Sequence, residues 1–456
     1  MNSETDRSGC VTTAKTIEGR PMIEADGLPY RERLDEILLL LTRYGSMGVL
    51  LIDISQLSQV EHDYGSRAYE KVIATAGDLF VGLRGGEVRS SDLLASSDRA
   101  GDAFLVFLSP KRTGQPAHIS ELEAAAARIE NYFNQRLAKL ASPYLRGSLH
   151  VPVGHGLVLH NPLVMPERLV ARLVNEAWEC VRYQQLQRSF KNRAHLLEII
   201  LNDNLRTLFQ PIYRIDSRER MGFEALSRGP EKTAFESPLH LFDAAAGADL
   251  VFELDRACRQ RALRTAKNLP PATKLFINIL PSSMYDPDFN GPGLLDTLER
   301  LELSPERVVL EITEKYAIEN YAIFGEAVRN FTEMGIAIAV DDIGAGHSGL
   351  EKIANLNPKF LKFDMELVRD IDASYVRQEM VKALKSFADK MGSTIIAEGI
   401  ERQEELDTLL ALGVDHGQGY LLGRPESGFG EKDPAAELRL PQRSNIRRLA
   451  SKRAGS

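Results

Sequence analysis

The chain has 456 residues, room for two or three domains of ordinary size, and a formal net charge of -8, which gives no electrostatic case for a nucleic acid polymer as partner. No apolar run approaches the ~20 residues of a membrane helix, and the start, MNSETDRSGC, lacks the basic and apolar regions of a secretory signal. The widely spaced Cys10, Cys180 and Cys258 argue against a disulfide framework, and nine histidines without a Cys/His cluster argue against zinc, so the expected location is the cytoplasm.

Residues 1–30 are polar and without hydrophobic period, which reads as a disordered leader. Residues 31–190 read as one α/β unit. The helix ERLDEILLLLTRY precedes the strand MGVLLIDI, and a helix through AYEKVIATAGDLFVGL leads to the strand AFLVFL. The helix ISELEAAAARIENYFNQRLAKL leads to a further strand and to an amphipathic helix near PERLVARLVNEAWECVRY. There Leu169, Leu173, Trp178 and Val181 keep roughly helical spacing. A helical connector, residues 191–207, follows.

Residues 208–432 alternate strand and helix. The strand-like runs are LFQPIYRI, GFEAL, KLFINI, RVVLEI, IAIAVD, FLKF, STIIA and GYLLG, with amphipathic helices such as FELDRACRQRALRTAKNL and QEMVKALKSFADKMG between most of them. Such a series in about 220 residues predicts a closed (β/α)8 TIM-like barrel rather than an open sheet. The tail, 433–456, carries Arg443, Arg447, Arg448, Lys452 and Arg453, with no acidic residue from Leu440 on. It reads as a solvated, mobile segment, with a binding role as the second reading.

The apolar runs of the second half end in, or lead into, hydrophilic residues of one chemical kind. They are Glu224 with Arg228, Asn278, Glu311 with Glu314, Asp341 with Asp342, Lys362, Glu398 and Gln418. A series of acids at strand ends predicts a ring of carboxylates around one mouth of the barrel, suited to a divalent metal and phosphate chemistry. Glu224, Asn278, Glu311 and Asp341 offer only oxygen ligands, which suit magnesium or manganese. The adjacent Asp341 and Asp342 repel each other unless a cation relieves the cost, and one of them could bridge two metals. Taken singly, each acid could equally be a solvated residue or a helix cap. Lys362, between Leu361 and Phe363, reads either as an edge or salt-bridge lysine or as a cation beside the carboxylates. Arg228 reads either as a surface residue or as a bidentate phosphate contact.

Other motifs compete poorly. Gly344, Gly346 and Gly349 spell G-x-G-x-x-G with Asp364 twenty residues on, but Asp341 and Asp342 before the loop would repel a pyrophosphate. GHSGL lacks the second glycine of a nucleophile elbow. His347 and His416 read as polar loop residues rather than ligands.

Residues 196 to about 427 resemble an EAL domain, the bacterial cyclic-di-GMP phosphodiesterase family. Glu224-Ala225-Leu226 matches its signature, and Arg228, Asn278, Glu311, Glu314, Asp341-Asp342, Lys362, Glu398 and Gln418 fall where its functional residues fall. The resemblance implies hydrolysis of cyclic di-GMP to linear pGpG with magnesium or manganese, two ions in all. It implies metal ligation by Glu224, Asn278, Glu311 and Asp341, with Asp342 on the second metal. Lys362 would position the attacking water, and Glu398 would be the general base or a second-metal ligand. Arg228 would hold a phosphate, Gln418 would help fix the substrate, and Glu314 would tie down the loop after Asp342. The chain departs from the family loop DDFGTGYSS, reading DDIGAGHSG. Ala345 lacks a hydroxyl that could pin the loop, and Gly349 adds freedom.

Residues from about 31 to 190 resemble a GGDEF domain, the family that makes cyclic di-GMP, and this implies an antiparallel-containing sheet with helices. The signature position reads Ala100-Gly101-Asp102-Ala103-Phe104, with Ala103 in place of a metal-binding acid and Ala100 in place of a glycine. Asp53 remains, but Ser55 stands where a second acid is usual, and Glu61-His62 where guanine is read. Arg89-Ser90-Ser91-Asp92 resembles the product-inhibition motif, but its spacer to the signature, 93–99, is longer than the family's. Cyclase activity is not expected. The expected protein is a cyclic-di-GMP phosphodiesterase with a silent regulatory domain. It is expected to form a homodimer, with an unidentified signalling protein as a further partner and no membrane association. The alternative is a catalytically idle receptor for cyclic di-GMP that acts through protein contacts.

Overall fold

The computed structural model describes residues 16–17, 20–21, 28–97, 102–109, 118–141, 149–314, 321–344 and 350–430. Most of the expected leader, the basic tail, Ala100 and Gly101, and the loop 345–349 with His347 lie outside them. The chain divides into two compact units, Met1–Lys191 and Asn192–Ser456. No helix among the described residues is long and apolar enough to cross a membrane.

In the first unit, two-residue strands β1 (Thr16–Ile17) and β2 (Arg20–Pro21) pair antiparallel. The unit's main sheet has the order β4-β5-β3-β6 and is antiparallel throughout. Its strands are β3 (Ser46–Asp53), β4 (Leu93–Ser96), β5 (Ala103–Leu108) and β6 (Val153–Leu159). The helices are α1 (Leu34–Tyr44), α2 (Ser58–Tyr64), α3 (Ser66–Val81), α4 (Ile119–Ala141) and α5 (Pro166–Leu201). Strand β3 is apolar on both faces because both are covered. Val49 and Leu51 share a core with Ile37 and Leu41 of α1 and Leu173 and Ala177 of α5. Leu50 and Ile52 share another with Phe80 of α3 and Ile129 and Phe133 of α4.

Helix α5 lies close on β6 because β6 carries glycines. A Cβ at Gly154 would stand 2.1 Å from the carbonyl oxygen of Ala177, and one at Gly156 2.8 Å from that of Leu173. Strand β4 had no counterpart among the expected elements. Its four residues are too few to show a period, and pairing with β5 holds it. The expected last helix and residues 191–201 of the expected connector form one helix, α5, of 36 residues, while Arg206 at the connector's end already opens the next strand.

The second unit is a closed barrel of eight strands. They are β7 (Arg206–Arg214), β8 (Glu219–Arg228), β9 (Lys274–Asn278), β10 (Val308–Thr313), β11 (Ala337–Ile343), β12 (Phe360–Phe363), β13 (Thr394–Ala397) and β14 (His416–Gly417). Around them lie α6 (Pro238–Ala248), α7 (Val251–Thr265), α8 (Pro292–Arg300), α9 (Tyr321–Glu333), α10 (Leu350–Leu356), α11 (Met365–Val368), α12 (Tyr375–Met391) and α13 (Gln403–Ala411).

The expected TIM-like barrel is present with two differences. Strand β7 runs antiparallel to both neighbours, because residues 215–218 alone join it to β8 and a parallel crossover needs about a dozen. The eighth strand is His416–Gly417 rather than GYLLG, whose residues turn away while Leu422 is buried.

Strand alternation sorts the barrel into an outer shell and a lumen. Leu310, Ile312, Ile338, Val340, Leu361, Phe363 and Ile395 point out to the helix-covered core. Ile212, Phe276, Val309, Ala339, Phe360 and Ile396 fill the lumen's floor. Two residues further along each parallel strand stand Asn278, Glu311, Asp341, Lys362 and Glu398. A period of two thus places them in one layer above the apolar floor.

Candidate active site and metal centre

Lys362 is the centre of that layer. It is completely buried, and its Nζ lies 2.6 Å from Glu398 Oε1, 2.8 Å from Glu311 Oε1, 3.3 Å from Glu224 Oε2 and 3.5 Å from Asp341 Oδ1. Its inward position excludes the edge reading. Every carboxylate around it lies on a different strand or strand end, so only barrel closure brings them together.

Glu224 is fixed by three donors. Its Oε1 accepts from Asn278 Nδ2 at 3.2 Å and its Oε2 from Gln418 Nε2 at 2.5 Å, besides the Lys362 ion pair. Burial pushes its carboxyl up, but Lys362, Gln418 and Asn278 together hold it below the ordinary range. Glu311, buried to 1 % exposure, goes the other way: burial raises it well above that range, against the pull of Lys362. Burial likewise raises Asp341 and Glu398. Lys362 is raised because Asp341, Glu224, Glu311 and Glu398 outweigh its own burial.

The adjacent Asp341 and Asp342 converge through backbone geometry. The register of β11 with β12 shifts between Val340 and Ile343, and Asp342 takes a φ of 60°. An aspartate tolerates this left-handed conformation better than most residues, and the bulge re-aims the side chain that alternation would send outward. Carboxylate oxygens of Asp341, Asp342 and Glu398 consequently lie within 4.8 Å of one another, as do those of Glu224, Glu311 and Asp341. Burial, then Asp341 and Asp364, push Asp342 up to about 6. Glu314 accepts a hydrogen bond at 3.3 Å from the backbone N–H of Gly344, just past the pair. Gly344 has a φ of 105°, and a Cβ there would meet Leu367 Cδ1 at 2.2 Å.

The layer fits a hard divalent cation. Glu311 Oε2 and Gln418 Oε1 are buried without a hydrogen-bond or ion-pair partner among the described residues, and Glu311 Oε1 and Glu398 Oε1 have Lys362 Nζ as their one neighbouring cation there. Four carboxylates against one ammonium leave the buried layer short of positive charge. Oxygen donors from Glu, Asp and Asn are the set that magnesium or manganese takes.

Arg228 stands outside this cluster. It ends β8, donates to Ser227 O at 2.8 Å, and lines a separate shallow cavity of about 540 Å³ with Arg206, Thr233 and His240. His416 is not the expected loop residue: it opens β14, pairs in register with Arg214, and its Nδ1 lies 2.9 Å from Asp415 Oδ1. Gln210 escaped the sequence reading. It is buried in register with Glu224 and donates to Gly423 O at 3.1 Å. Its signal was the alternation of β7, legible only once that strand is known to run backwards.

A model of the EAL domain family matches residues 193–425. The chain belongs to the EAL domain family. The EAL region is 30% identical over 236 residues to the cyclic di-GMP phosphodiesterase PdeA of Borreliella burgdorferi, covering 51% of this chain and 35% of that protein. The cyclic di-GMP phosphodiesterase PdeR of Escherichia coli is 26% identical over 429 residues, covering 88% of this chain and 61% of that one. The chain thus spans between about a third and three-fifths of the length of these two relatives. The EAL domain of FimX from Xanthomonas citri, solved in complex with c-diGMP, is 22% identical over 55% of this chain and 99% of its own, with a TM-score of 0.51, and shares the fold.

Proposed function

We propose that the EAL barrel hydrolyses cyclic di-GMP to linear pGpG with two magnesium or manganese ions. The observation that carries this reading is the buried layer of Glu224, Glu311, Asp341 and Glu398 sharing the single ammonium of Lys362, with Glu311 Oε2 left without a partner among the described residues. Glu224, Asn278, Glu311 and Asp341 would hold one ion and Asp342 the second. Such ions supply Lewis-acid polarisation of a phosphate and a water nucleophile at neutral pH.

Lys362 holds the carboxylates in one arrangement and positions the attacking water. Glu398, whose buried carboxyl has a heightened proton affinity, accepts that water's proton or serves as a second-metal ligand. Gln418 orients Glu224 and helps fix the substrate, Arg228 holds a phosphate, and Glu314 ties down the backbone after Asp342. The names of the two phosphodiesterase relatives support the substrate.

The test is turnover of cyclic di-GMP by the full chain with magnesium, manganese or calcium. Glu224→Ala and Asp341→Asn should abolish turnover, and calcium should fail to support it, since it prefers ~2.3–2.6 Å contacts to magnesium's ~2.0–2.1 Å. Robust hydrolysis by either variant, or in calcium alone, means the site is misassigned. The loop DDIGAGHSG favours the second reading, an idle receptor acting through protein contacts. That reading requires tight binding of cyclic di-GMP with no turnover under either metal.

For the first unit we infer a degenerate GGDEF-like domain that makes no cyclic di-GMP. Asp53 faces Ala103 in register, so the remaining acid sits opposite the missing one. Its Oδ1 accepts from Ser55 N at 2.9 Å and its Oδ2 from Gln185 Nε2 at 3.0 Å, which ties the carboxylate to its own unit. Asp92 is likewise occupied by the backbone N–H groups of Arg89 and Ser109 and by the Ser109 hydroxyl. Incubation of the full chain with GTP and either metal should yield no cyclic product.

A further inference from the structure

A second group of reactive side chains lies in the first unit, on elements that hold none of the barrel's carboxylates. Cys180 of α5 places its Sγ 3.6 Å from Nδ1 of His155 on β6. Gln184, one helical turn on, brings its Nε2 within 3.7 Å of the same sulfur and donates to Val153 O at 3.3 Å. Cys180 is partly exposed, whereas Cys258 on α7 is buried.

The two thiols differ chemically as well. Burial pushes the Cys258 thiol up to about 12, which leaves it inert. The hydrogen bond to His155 draws the Cys180 thiol below its ordinary value against the opposing effect of burial, and the same bond raises the His155 imidazole. The charged groups facing the pair are Glu176 on α5 and Glu123 on α4. Both raise His155, and Glu176 opposes the thiolate without reversing the outcome. The metal-holding groups among the described residues do not include this pair.

We propose that Cys180 and His155 form a reactive-thiol site for small oxidants and electrophiles, with hydrogen peroxide as the representative oxidant. The Cys180 thiolate attacks one peroxide oxygen, an S–O bond forms and the O–O bond breaks. Sulfur is oxidised by two electrons to the sulfenic acid, and the departing hydroxide takes the imidazolium proton of His155 and leaves as water. The oxygen added to sulfur then occupies the space beside Gln184, whose amide also holds Val153 O.

The test uses the full chain carrying Cys10→Ser, so that Cys180 and Cys258 are its two thiols. Alkylation by iodoacetamide is followed at each cysteine by peptide mass spectrometry from pH 5 to 10, and peroxide oxidation is trapped with dimedone. Cys180 should alkylate with a midpoint below the ~8.5 of a free thiol and should trap dimedone after peroxide, while Cys258 stays unmodified. His155→Gln should raise the midpoint and slow alkylation at pH 7 by at least ~3-fold. A Cys180 that stays unmodified in the folded chain, a midpoint at or above ~8.5, or an unchanged rate in His155→Gln overturns the site. Should circular dichroism show that variant unfolded, the midpoint of the parent chain decides alone.

Discussion

Lys362 shows how one residue sets the character of the barrel lumen. An ammonium buried among four carboxylates is stable only because each partner offsets part of its desolvation. Lys362→Met removes that charge and leaves the acids facing each other. We expect a loss of ~3 kcal/mol in the metal-free protein, partly restored by manganese. The loss should grow from pH 6 to pH 8, as the carboxyls ionise without a counter-charge. Urea unfolding at both pH values measures it, and equal stability of variant and parent would refute the central role of the lysine. His150 offers a pH test in the first unit. Burial, and then Arg188, push its imidazole down to about 4. The folded state keeps it neutral where the unfolded chain, near 6.5, takes up a proton. Its contribution is therefore present above pH 6.5 and lost as pH falls toward 4. His150→Asn should flatten that acid limb in thermal melts, and an unaltered limb would show that other groups carry it.

At the scale of elements, the end of β11 decides whether Asp341 and Asp342 act together. The register shift and the left-handed Asp342 turn both carboxylates toward one space, and Gly344 lets the chain leave past Leu367. Gly344→Ala introduces a Cβ at a φ of 105° and within 2.2 Å of Leu367 Cδ1. It should cost ~2 kcal/mol and weaken manganese binding, since the strained exit is where Glu314 anchors the backbone. Calorimetric titration of manganese and a thermal melt read the two effects. If Gly344→Ala binds manganese like the parent, the bulge does not govern the second carboxylate.

For the whole molecule, the first unit is proposed to regulate the barrel without cyclase chemistry of its own. Helix α5 runs from that unit to Leu201, whose neighbours Leu196 and Ile199 share a core with Leu241, Leu254 and Cys258. Removing residues 1–190 should leave the barrel's ligands in place but change its rate or its state of assembly. Steady-state kinetics and sedimentation of the two forms make the comparison. If they agree in rate, metal dependence and oligomeric state, the first unit is a spacer.

The sequence by itself determined the parts that rest on local pattern. The runs KLFINI, RVVLEI, IAIAVD and FLKF announce buried strands, and the polar residue two places past each inward apolar one follows from the strand period alone. The short link between LFQPIYRI and GFEAL even contained the antiparallel start, since four residues cannot cross a barrel. Tertiary structure alone decided which polar ends meet. Lys362 could be read as an edge residue until closure placed β12 between β11 and β13 and turned its side chain inward. Gln210 could not be assigned before the direction of β7 was known, β4 had too few residues to show a period, and the convergence of Asp341 with Asp342 depends on a register shift against a neighbouring strand. Pairing partner, direction and register are non-local quantities, settled by which strands close the barrel, and no window of sequence contains them.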